Sequence, residues 1–226
     1  MHALIVVDMQ NDFMPGGPLG VAEADTLVAP INRLIARLPV VVATQDWHPP
    51  GHGSFASAHP GRRPGEVVPL AGLEQVLWPD HCVQHTPGAA LVAGLDTAGI
   101  DHVVTKGSTP DVDSYSGFFD NARRHDTGLR AWLRDAGVTH VHVCGVATDY
   151  CVRFTALDAL TEGFDVTLHA WACRGVELAP GDVAGAIAAI EAAGATVTTD
   201  EAQAFAAIDR AVDRAAPALD RTPPSR

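Results

Sequence analysis

Positive charge is scarce in this sequence. Only 15 Lys and Arg residues stand against 27 Asp and Glu residues, which gives a formal net charge of −12 at pH 7. A nucleic-acid partner would require clustered Lys and Arg to neutralise phosphates. The charge balance therefore argues against nucleic-acid binding. Lysine is especially sparse, because arginine supplies most of the positive charges.

Long apolar runs and paired cysteines are missing as well. No window approaches the roughly 20 apolar residues that span a bilayer, and the short N-terminal apolar run lacks the basic flank of a signal peptide. The cysteines show no CxxC pair and no disulfide-scaffold spacing; they are Cys82, Cys144, Cys151 and Cys173. We therefore expect a cytoplasmic protein with reduced thiols and no membrane partner. The sequence leaves open whether the chain is a monomer or a homo-oligomer.

Short apolar runs alternate with Ala- and Leu-rich segments of helical spacing along most of the chain. The predicted strands are 3–7, 39–44, 102–105, 139–143, 164–169 and 195–198, and the predicted helices are 23–38, 128–136, 148–162, 181–193 and one that begins at 201. Such alternation predicts a three-layer α/β/α fold with a six-stranded parallel sheet and Rossmann-like topology. No Gly-rich dinucleotide fingerprint follows the first strand.

One long segment, 45–87, interrupts this alternation. It is rich in Pro, Gly and His and has little helical or strand periodicity. Loops of this length are usually functional or disordered, and its aromatic residues Trp47, Phe55 and Trp78 argue against disorder. We predict a single domain over residues 1–212, with this segment as a metal-binding excursion and residues 213–226 as a frayed tail.

The segment 143–160 is typical of a strand, a break at Gly145 and a helix from about Thr148. This arrangement places Cys151 in the first helical turn, where unpaired N–H groups and the helix dipole stabilise a thiolate. We expect Thr148 or Asp149 to cap the helix. Cys151 is therefore a candidate nucleophile. The alternative is a buried cysteine that only packs.

Ligands of parallel sheets bind beyond the carboxyl ends of the strands. That rule brings Asp8, Asp46, Lys106 and the turn before Cys151 to one edge of the predicted sheet. Asp8, Lys106 and Cys151 are a plausible base, electrostatic partner and nucleophile. The alternative for Asp8 is a structural role, capping the turn at 10–13.

The long segment contains a candidate metal site. Asp46 and His48 are two residues apart and share a face of an extended strand end, and His52 and His81 could complete a site for zinc, iron or manganese. Three His and one carboxylate with positions left for water are typical of a catalytic site. The alternative is a set of solvated loop histidines. We expect no such role for the remaining histidines considered, which are His59, His85, His102, His125, His140, His142 and His169.

Several blocks of sequence resemble the nicotinamidase/pyrazinamidase branch of the isochorismatase-like cysteine hydrolases. In chain order they are 7–13 (VDMQNDF), 44–55 (TQDWHPPGHGSF), 78–83 (WPDHCV), 106–107 (KG), 113–118 (DSYSGF) and 145–152 (GVATDYCV). The first and last blocks are typical of the superfamily. The Asp-x-His loop and the WPxHC block are typical of the nicotinamidase branch.

The resemblance implies a role for each matching residue. Asp8, Lys106 and Cys151 correspond to the catalytic triad, and Ala147 and Cys151 supply the oxyanion-hole N–H groups beside a cis Val146–Ala147 peptide. The metal ligands correspond to Asp46, His48, His52 and His81. The substrate pocket corresponds to Phe13, Leu19, Trp78, Tyr115, Val146 and Tyr150. The implied cofactor is one divalent metal ion, with zinc preferred over iron or manganese.

The implied activity is hydrolysis of nicotinamide, and also of pyrazinamide, to the acid and ammonia through a Cys151 thioester, as in NAD salvage. Three alternatives stay open at this point. One is another amidase of the superfamily, acting on carbamoyl or ureido amides without the metal loop. The second is a metallohydrolase in which Cys151 is structural, and the third is a metal-dependent binding module without catalysis.

Overall fold

The computed structural model describes the backbone of residues 1–215 and the side chains of residues 1–211. Its strands are β1 His2–Val7, β2 Val41–Asp46, β3 Val67–Leu70, β4 Leu73–Val76, β5 His102–Lys106, β6 His140–Val146, β7 Asp165–Arg174 and β8 Thr196–Thr198. Its helices are α1 Val28–Ile35, α2 Leu129–Asp135, α3 Arg153–Thr161, α4 Asp182–Ala192 and α5 Glu201–Ala215. Six strands form one sheet in the order β5-β2-β1-β6-β7-β8.

All neighbouring strands of this sheet are parallel, which confirms the predicted α/β fold. The central strand β1 is apolar from Ala3 to Val7, and each of these residues is fully buried, as expected for a strand covered on both faces. Because β1 lies between β2 and β6, the residues that follow these strands meet at one edge. Asp46 is in register with Lys106 on β5.

The helix predicted after Gly145 differs from the structure in its first turn. Thr148–Val152 forms a wide π-type turn before α3 begins at Arg153. The predicted capping is wrong, because neither Thr148 nor Asp149 makes a side-chain hydrogen bond to the turn. The Asp149 carboxylate instead accepts hydrogen bonds from the N–H groups of Val176 and Glu177, at 3.0 and 2.7 Å. It ties the turn to the chain that follows β7.

The segment 45–87 contains a hairpin that the sequence analysis missed. Strands β3 and β4 pair antiparallel around Ala71 and Gly72, whose φ angles of 52° and 86° are left-handed. Such angles suit a two-residue hairpin turn. The strand pattern was hidden because Pro69 interrupts the first strand and both strands are short. The rest of the segment is irregular, as predicted.

No helix in the described part of the chain is long and apolar enough to cross a membrane. Helix α5 continues to Ala215, and the remainder of the predicted frayed tail lies outside the described residues. The single-domain boundary at residue 212 stays a prediction.

Candidate active site

Gly145 allows β6 to approach β1 closely enough to bring the turn with Cys151 to the end of β1. Its φ is +116°, and a Cβ atom at this position would collide with the Val7 carbonyl. Gly145 is in register with Val7. The next peptide bond, Val146–Ala147, is cis, as the resemblance implied. Cys151 lies in the turn that follows and is buried.

Lys106 joins the predicted nucleophile to the predicted base. Its ammonium Nζ lies 3.3 Å from the Cys151 Sγ and 2.8 Å from the Asp8 Oδ2. The same Nζ donates to the Asp46 Oδ1 at 2.5 Å and to the Ser114 carbonyl at 3.0 Å. Its side chain has no solvent exposure. The three residues predicted from the strand ends are therefore in contact through one buried cation.

Asp8 is held rigidly at the end of β1. Its Oδ1 accepts a hydrogen bond from the Thr44 hydroxyl at 2.6 Å. Asp8 is fully buried, and its backbone has a left-handed φ of 48°. The turn Asn11–Phe13 has no side-chain cap, so the alternative role of Asp8 as a cap is wrong. One carboxylate oxygen of Asp8 and one of Asp46 lie within 4.8 Å of the Cys151 sulfur.

Burial and the charges around Lys106 together determine the protonation states of Asp8, Lys106 and Cys151. Burial raises the pKa of Asp8, although the Lys106 charge opposes that rise. Burial also raises the pKa of the Cys151 thiol well above its usual value, again against Lys106. Burial by itself would lower the pKa of Lys106, but the Asp46 and Asp8 carboxylates hold it well above its usual value. Lys106 therefore stays charged, and Asp8 is a stronger base than an exposed aspartate.

We expect hydrolytic efficiency (kcat/KM) to fall on the acid side as Asp8 becomes protonated. Because the folded-state pKa of Asp8 is raised, the midpoint of this fall should lie above the ordinary aspartate value of about 3.9. The carboxylate form of Asp8, which would act as the base, predominates above the midpoint and is lost below it. The pH profile of kcat/KM checks this, with metal content measured at each pH to separate loss of the ion. A midpoint below about 3.9 with metal retained would contradict the assignment of Asp8 as the base.

Three of the four predicted metal ligands converge beside Lys106. The Asp46 Oδ2 lies 3.7 Å from the His48 Nε2 and 3.8 Å from the His81 Nε2, and these residues form one of the groups able to hold a metal ion. The His48 Nε2 is buried without a hydrogen-bond partner. An orphaned ring nitrogen facing a carboxylate is what a bound cation would satisfy. The residues present therefore fit a divalent ion.

The other ring nitrogen of each histidine fixes its orientation. His48 Nδ1 donates to the Gly107 carbonyl at 2.9 Å, and His81 Nδ1 donates to the Pro79 carbonyl at 2.8 Å. Such hydrogen bonds from the ring nitrogen that does not bind the ion are typical of metal-bound histidines. They leave the Nε2 of each ring, on the side of Asp46, with a free lone pair. Gly107 is required at its position, because its φ is +66° and a side chain there would overlap the His48 ring.

The prediction of His52 as a fourth metal ligand is wrong. Its Nδ1 accepts a hydrogen bond from the Ser54 N–H at 3.1 Å and contacts the Ser54 hydroxyl at 2.8 Å. Its Nε2 donates to the Thr109 carbonyl at 2.8 Å. Both ring nitrogens are therefore used away from Asp46. His52 instead packs against His48, with ring centroids 4.6 Å apart.

We expect His48→Gln to lose the bound metal ion and His52→Gln to keep it. The first change removes a predicted ligand nitrogen, whereas the second removes a ring whose nitrogens bond to Ser54 and to the Thr109 carbonyl. Metal content of the purified variants, measured by elemental analysis, distinguishes the two. Retention of a full equivalent in His48→Gln, or its loss in folded His52→Gln, would contradict the three-ligand site.

A cavity opens onto Cys151 and onto two of the predicted metal ligands, Asp46 and His81. Five predicted pocket residues line it, namely Phe13, Leu19, Trp78, Tyr115 and Tyr150. Ala147, Asp46 and His81 also line it, together with Asp113 and Val176, which the sequence analysis did not assign. The predicted Val146 does not line the cavity, because it is fully buried at the end of β6.

Aromatic contacts fix the shape of this cavity. The Trp78 indole N–H donates to the Tyr115 hydroxyl at 3.2 Å, and the Trp78 and Tyr150 rings meet edge to face at 4.8 Å. Gln75, from β4, donates to the same Tyr115 hydroxyl at 2.9 Å. The missed hairpin therefore supports the wall of the cavity.

Sequence reasoning also missed the residues that support the charged groups. The Gln10 amide donates to the Asp46 carbonyl and accepts from the Asp46 N–H, each at 2.8 Å. Thr44 holds Asp8, and the Ser114 carbonyl holds Lys106. Gln10 and Thr44 lie beside strand ends that were identified, so proximity to Asp8 and Asp46 was the available signal. Ser114 gave no signal, because its backbone carbonyl makes the contact.

The model of the isochorismatase domain matches residues 2–202. This chain belongs to the isochorismatase family. The match spans the sheet, the turn with Cys151 and the segment with the metal ligands. It agrees with the fold and with the resemblance seen in the sequence.

Nicotinamidases and pyrazinamidases are among the proteins to which this chain is similar. A nicotinamidase of Escherichia coli (strain K12) is 51% identical over 202 residues, covering 88% of this chain and 94% of that protein. The structure of a nicotinamidase and pyrazinamidase of Acinetobacter baumanii matches with a TM-score of 0.84 and 42% identity, covering 87% of this chain and 94% of that one. A pyrazinamidase of Pyrococcus horikoshii in complex with zinc matches with a TM-score of 0.71 and 40% identity, over 88% of this chain and 99% of that one.

Proposed function

We propose that this protein is a nicotinamidase, which hydrolyses nicotinamide to nicotinate and ammonia, accepts pyrazinamide as well, and serves NAD salvage. The observation that carries the proposal is the position of Lys106, whose Nζ contacts Asp8, Cys151 and Asp46, a predicted metal ligand, at once. A cysteine nucleophile and a three-ligand metal site thus share one cavity. Aromatic side chains line this cavity, among them Phe13, Trp78 and Tyr150, and they suit the ring of a single-ring amide. The similarity to nicotinamidases supports the same conclusion.

In the proposed reaction Asp8 accepts the Cys151 proton, and the thiolate attacks the carboxamide carbon. The N–H groups of Ala147 and Cys151 stabilise the oxyanion, and loss of one such donor typically costs about 3 to 4 kcal/mol. Asp8 returns the proton to the leaving ammonia, which leaves a thioester on Cys151. Water that gives its proton to Asp8 then releases nicotinate. Lys106 balances the negative charge throughout.

Asp46, His48 and His81 would hold the metal ion, and we propose zinc, with iron and manganese as alternatives that the same ligands accept. When bound, the ion supplies a Lewis acid for the pyridine nitrogen of the substrate. Trp78 and Phe13 would pack on the two sides of the ring. Tyr150 and Tyr115 would fix the position of Trp78 through the contacts described above.

The test is release of ammonia and nicotinate from nicotinamide by the full chain, before and after chelation of the metal. We expect turnover that chelation removes and zinc restores. Absence of nicotinate would refute the proposal, and turnover of carbamoyl or ureido amides alone would favour another amidase of the family. Thiol alkylation with the metal retained separates the metallohydrolase alternative, because full activity after alkylation of Cys151 would favour it.

A further inference from the structure

A row of histidines crosses one face of the sheet at the end opposite the cavity. Its members are His2 at the start of β1, His140 and His142 on β6, and His169 on β7. His2 is in register with His140, and their rings stack with centroids 4.5 Å apart. The rings of His140 and His142 stack at 4.8 Å. The proposed reaction uses none of these residues.

We propose that His2, His140 and His142 form a second metal site, which takes a divalent ion of the zinc, cobalt or nickel class. One nitrogen from each of the three rings lies within 4.8 Å of the other two. Imidazole is a preferred ligand of these ions. Three histidines that leave a further position for water or another ligand are a sufficient set for zinc. His2 and His140 are half-buried and His142 is buried, so an ion would have a route from solvent.

The hydrogen bonds behind the row leave the lone pair of His142 facing His2. The Thr198 hydroxyl donates to the Leu168 carbonyl at 3.3 Å, so it accepts from the His169 Nδ1 at 2.9 Å. The His169 Nε2 is then an acceptor for the His142 Nδ1–H at 3.0 Å. The His142 Nε2 consequently carries a lone pair, which now accepts from the His2 Nδ1 at 2.9 Å.

This arrangement repeats the outer hydrogen bond that orients metal-bound histidines. His142 is oriented by its hydrogen bond to His169. The Nε2 of His140 lies 2.8 Å from the Thr167 hydroxyl, which leaves the His140 Nδ1 for an ion. An ion would replace only the hydrogen bond between His2 and His142. Because its Nδ1 donates to His169, the Nε2 of His142 is free of a proton, as a ligand atom must be.

Nearby charges act on the site in both directions. The N-terminal ammonium and the Asp165 carboxylate both act electrostatically on His2 and on His140, with opposite signs. Asp165 is in register with His140 on the neighbouring strand. Its negative charge offsets part of the repulsion that a divalent ion would meet from the N-terminus.

The test is the zinc stoichiometry of the full chain without a histidine tag, stripped by chelation and then titrated with zinc. We expect two equivalents for the unaltered protein and one for His2→Gln and for His140→Gln, because loss of a ligand should weaken binding by more than about 10-fold. These positions are half-buried, so their replacement should leave the fold intact. The thermal unfolding midpoint checks this.

Two further variants make the result specific. His102→Gln removes a histidine outside both sites and should keep two equivalents. His48→Gln should keep one, bound at the histidine row. The decisive quantity is the equivalent lost at position 140, which does not depend on whether the active-site ion is present. Equal stoichiometry in the unaltered protein and in folded His140→Gln would overturn the proposal.

Discussion

Cys151→Ala should abolish hydrolysis of nicotinamide while leaving the fold and the metal content intact. The sulfur lies 3.3 Å from the Lys106 Nζ and close to Asp8, and it is the group of the predicted trio that forms the acyl intermediate in the proposed reaction. Loss of a nucleophile normally costs several orders of magnitude in kcat. The substitution removes one sulfur atom from a wall of the cavity and no metal ligand. Initial rates of ammonia release measure the effect.

The matched control is Cys173→Ala, which removes the thiol of another buried cysteine, on β7. We expect that variant to lose stability at most, since Cys173 is not among the hydrogen-bond partners of Lys106 or Asp8 in the described part of the chain. Residual activity of Cys151→Ala above a few per cent would be incompatible with covalent catalysis. Measuring the metal content of both variants checks that the metal site of Asp46, His48 and His81 is unchanged.

Lys106→Arg should lose turnover by about 100-fold or more, although it keeps the positive charge. The Lys106 Nζ is fully buried and contacts Asp8, Asp46, Cys151 and the Ser114 carbonyl. A planar guanidinium is larger and directs its donors differently, so it cannot replace a point charge among four partners. Displacement of the reacting groups by about 1 Å can cost ~100-fold in rate. Steady-state kinetics with nicotinamide measure the loss.

The same variant should bind its metal ion more weakly. Lys106 donates to one carboxylate oxygen of Asp46, whose other oxygen faces His48 and His81. A displaced Asp46 would therefore misplace a metal ligand, and zinc titration measures the change in affinity. Arg174→Lys is a suitable control, because Arg174 pairs with Glu23 at the surface. Near-normal turnover in Lys106→Arg would show that the contacts of the Lys106 Nζ with Asp46 and with Cys151 are not required.

The sequence predicted those parts of the site that depend on strand ends. Buried apolar strands and a glycine break are local signals, so β1, β6 and the turn around Cys151 could be placed without coordinates. Parallel strands bring their carboxyl ends together, and Asp8, Lys106 and Cys151 do meet there. The catalytic and metal-binding roles of these residues stay predictions.

Other features depend on which way a side chain points, and spacing does not determine that. His48 and His52 are equally plausible ligands in sequence, but the carbonyls of Gly107 and Thr109 orient their rings differently. The hairpin β3–β4 was missed because Pro69 interrupts a short strand. His140 and His142 gave no reason for a role, because their partners His2 and His169 lie on other strands.

Lys106 is the only lysine in the sequence. The chain therefore carries two primary amines, its N-terminal amine and a side-chain amine sealed inside the active site. Met1 is exposed and its amine lies 3.1 Å from the Gly137 carbonyl, so an amine-reactive label should modify the folded protein at its N-terminus alone. Attachment of a second label would then count the molecules in which the active site has opened. Amine coupling to a surface should likewise hold every molecule by the same end.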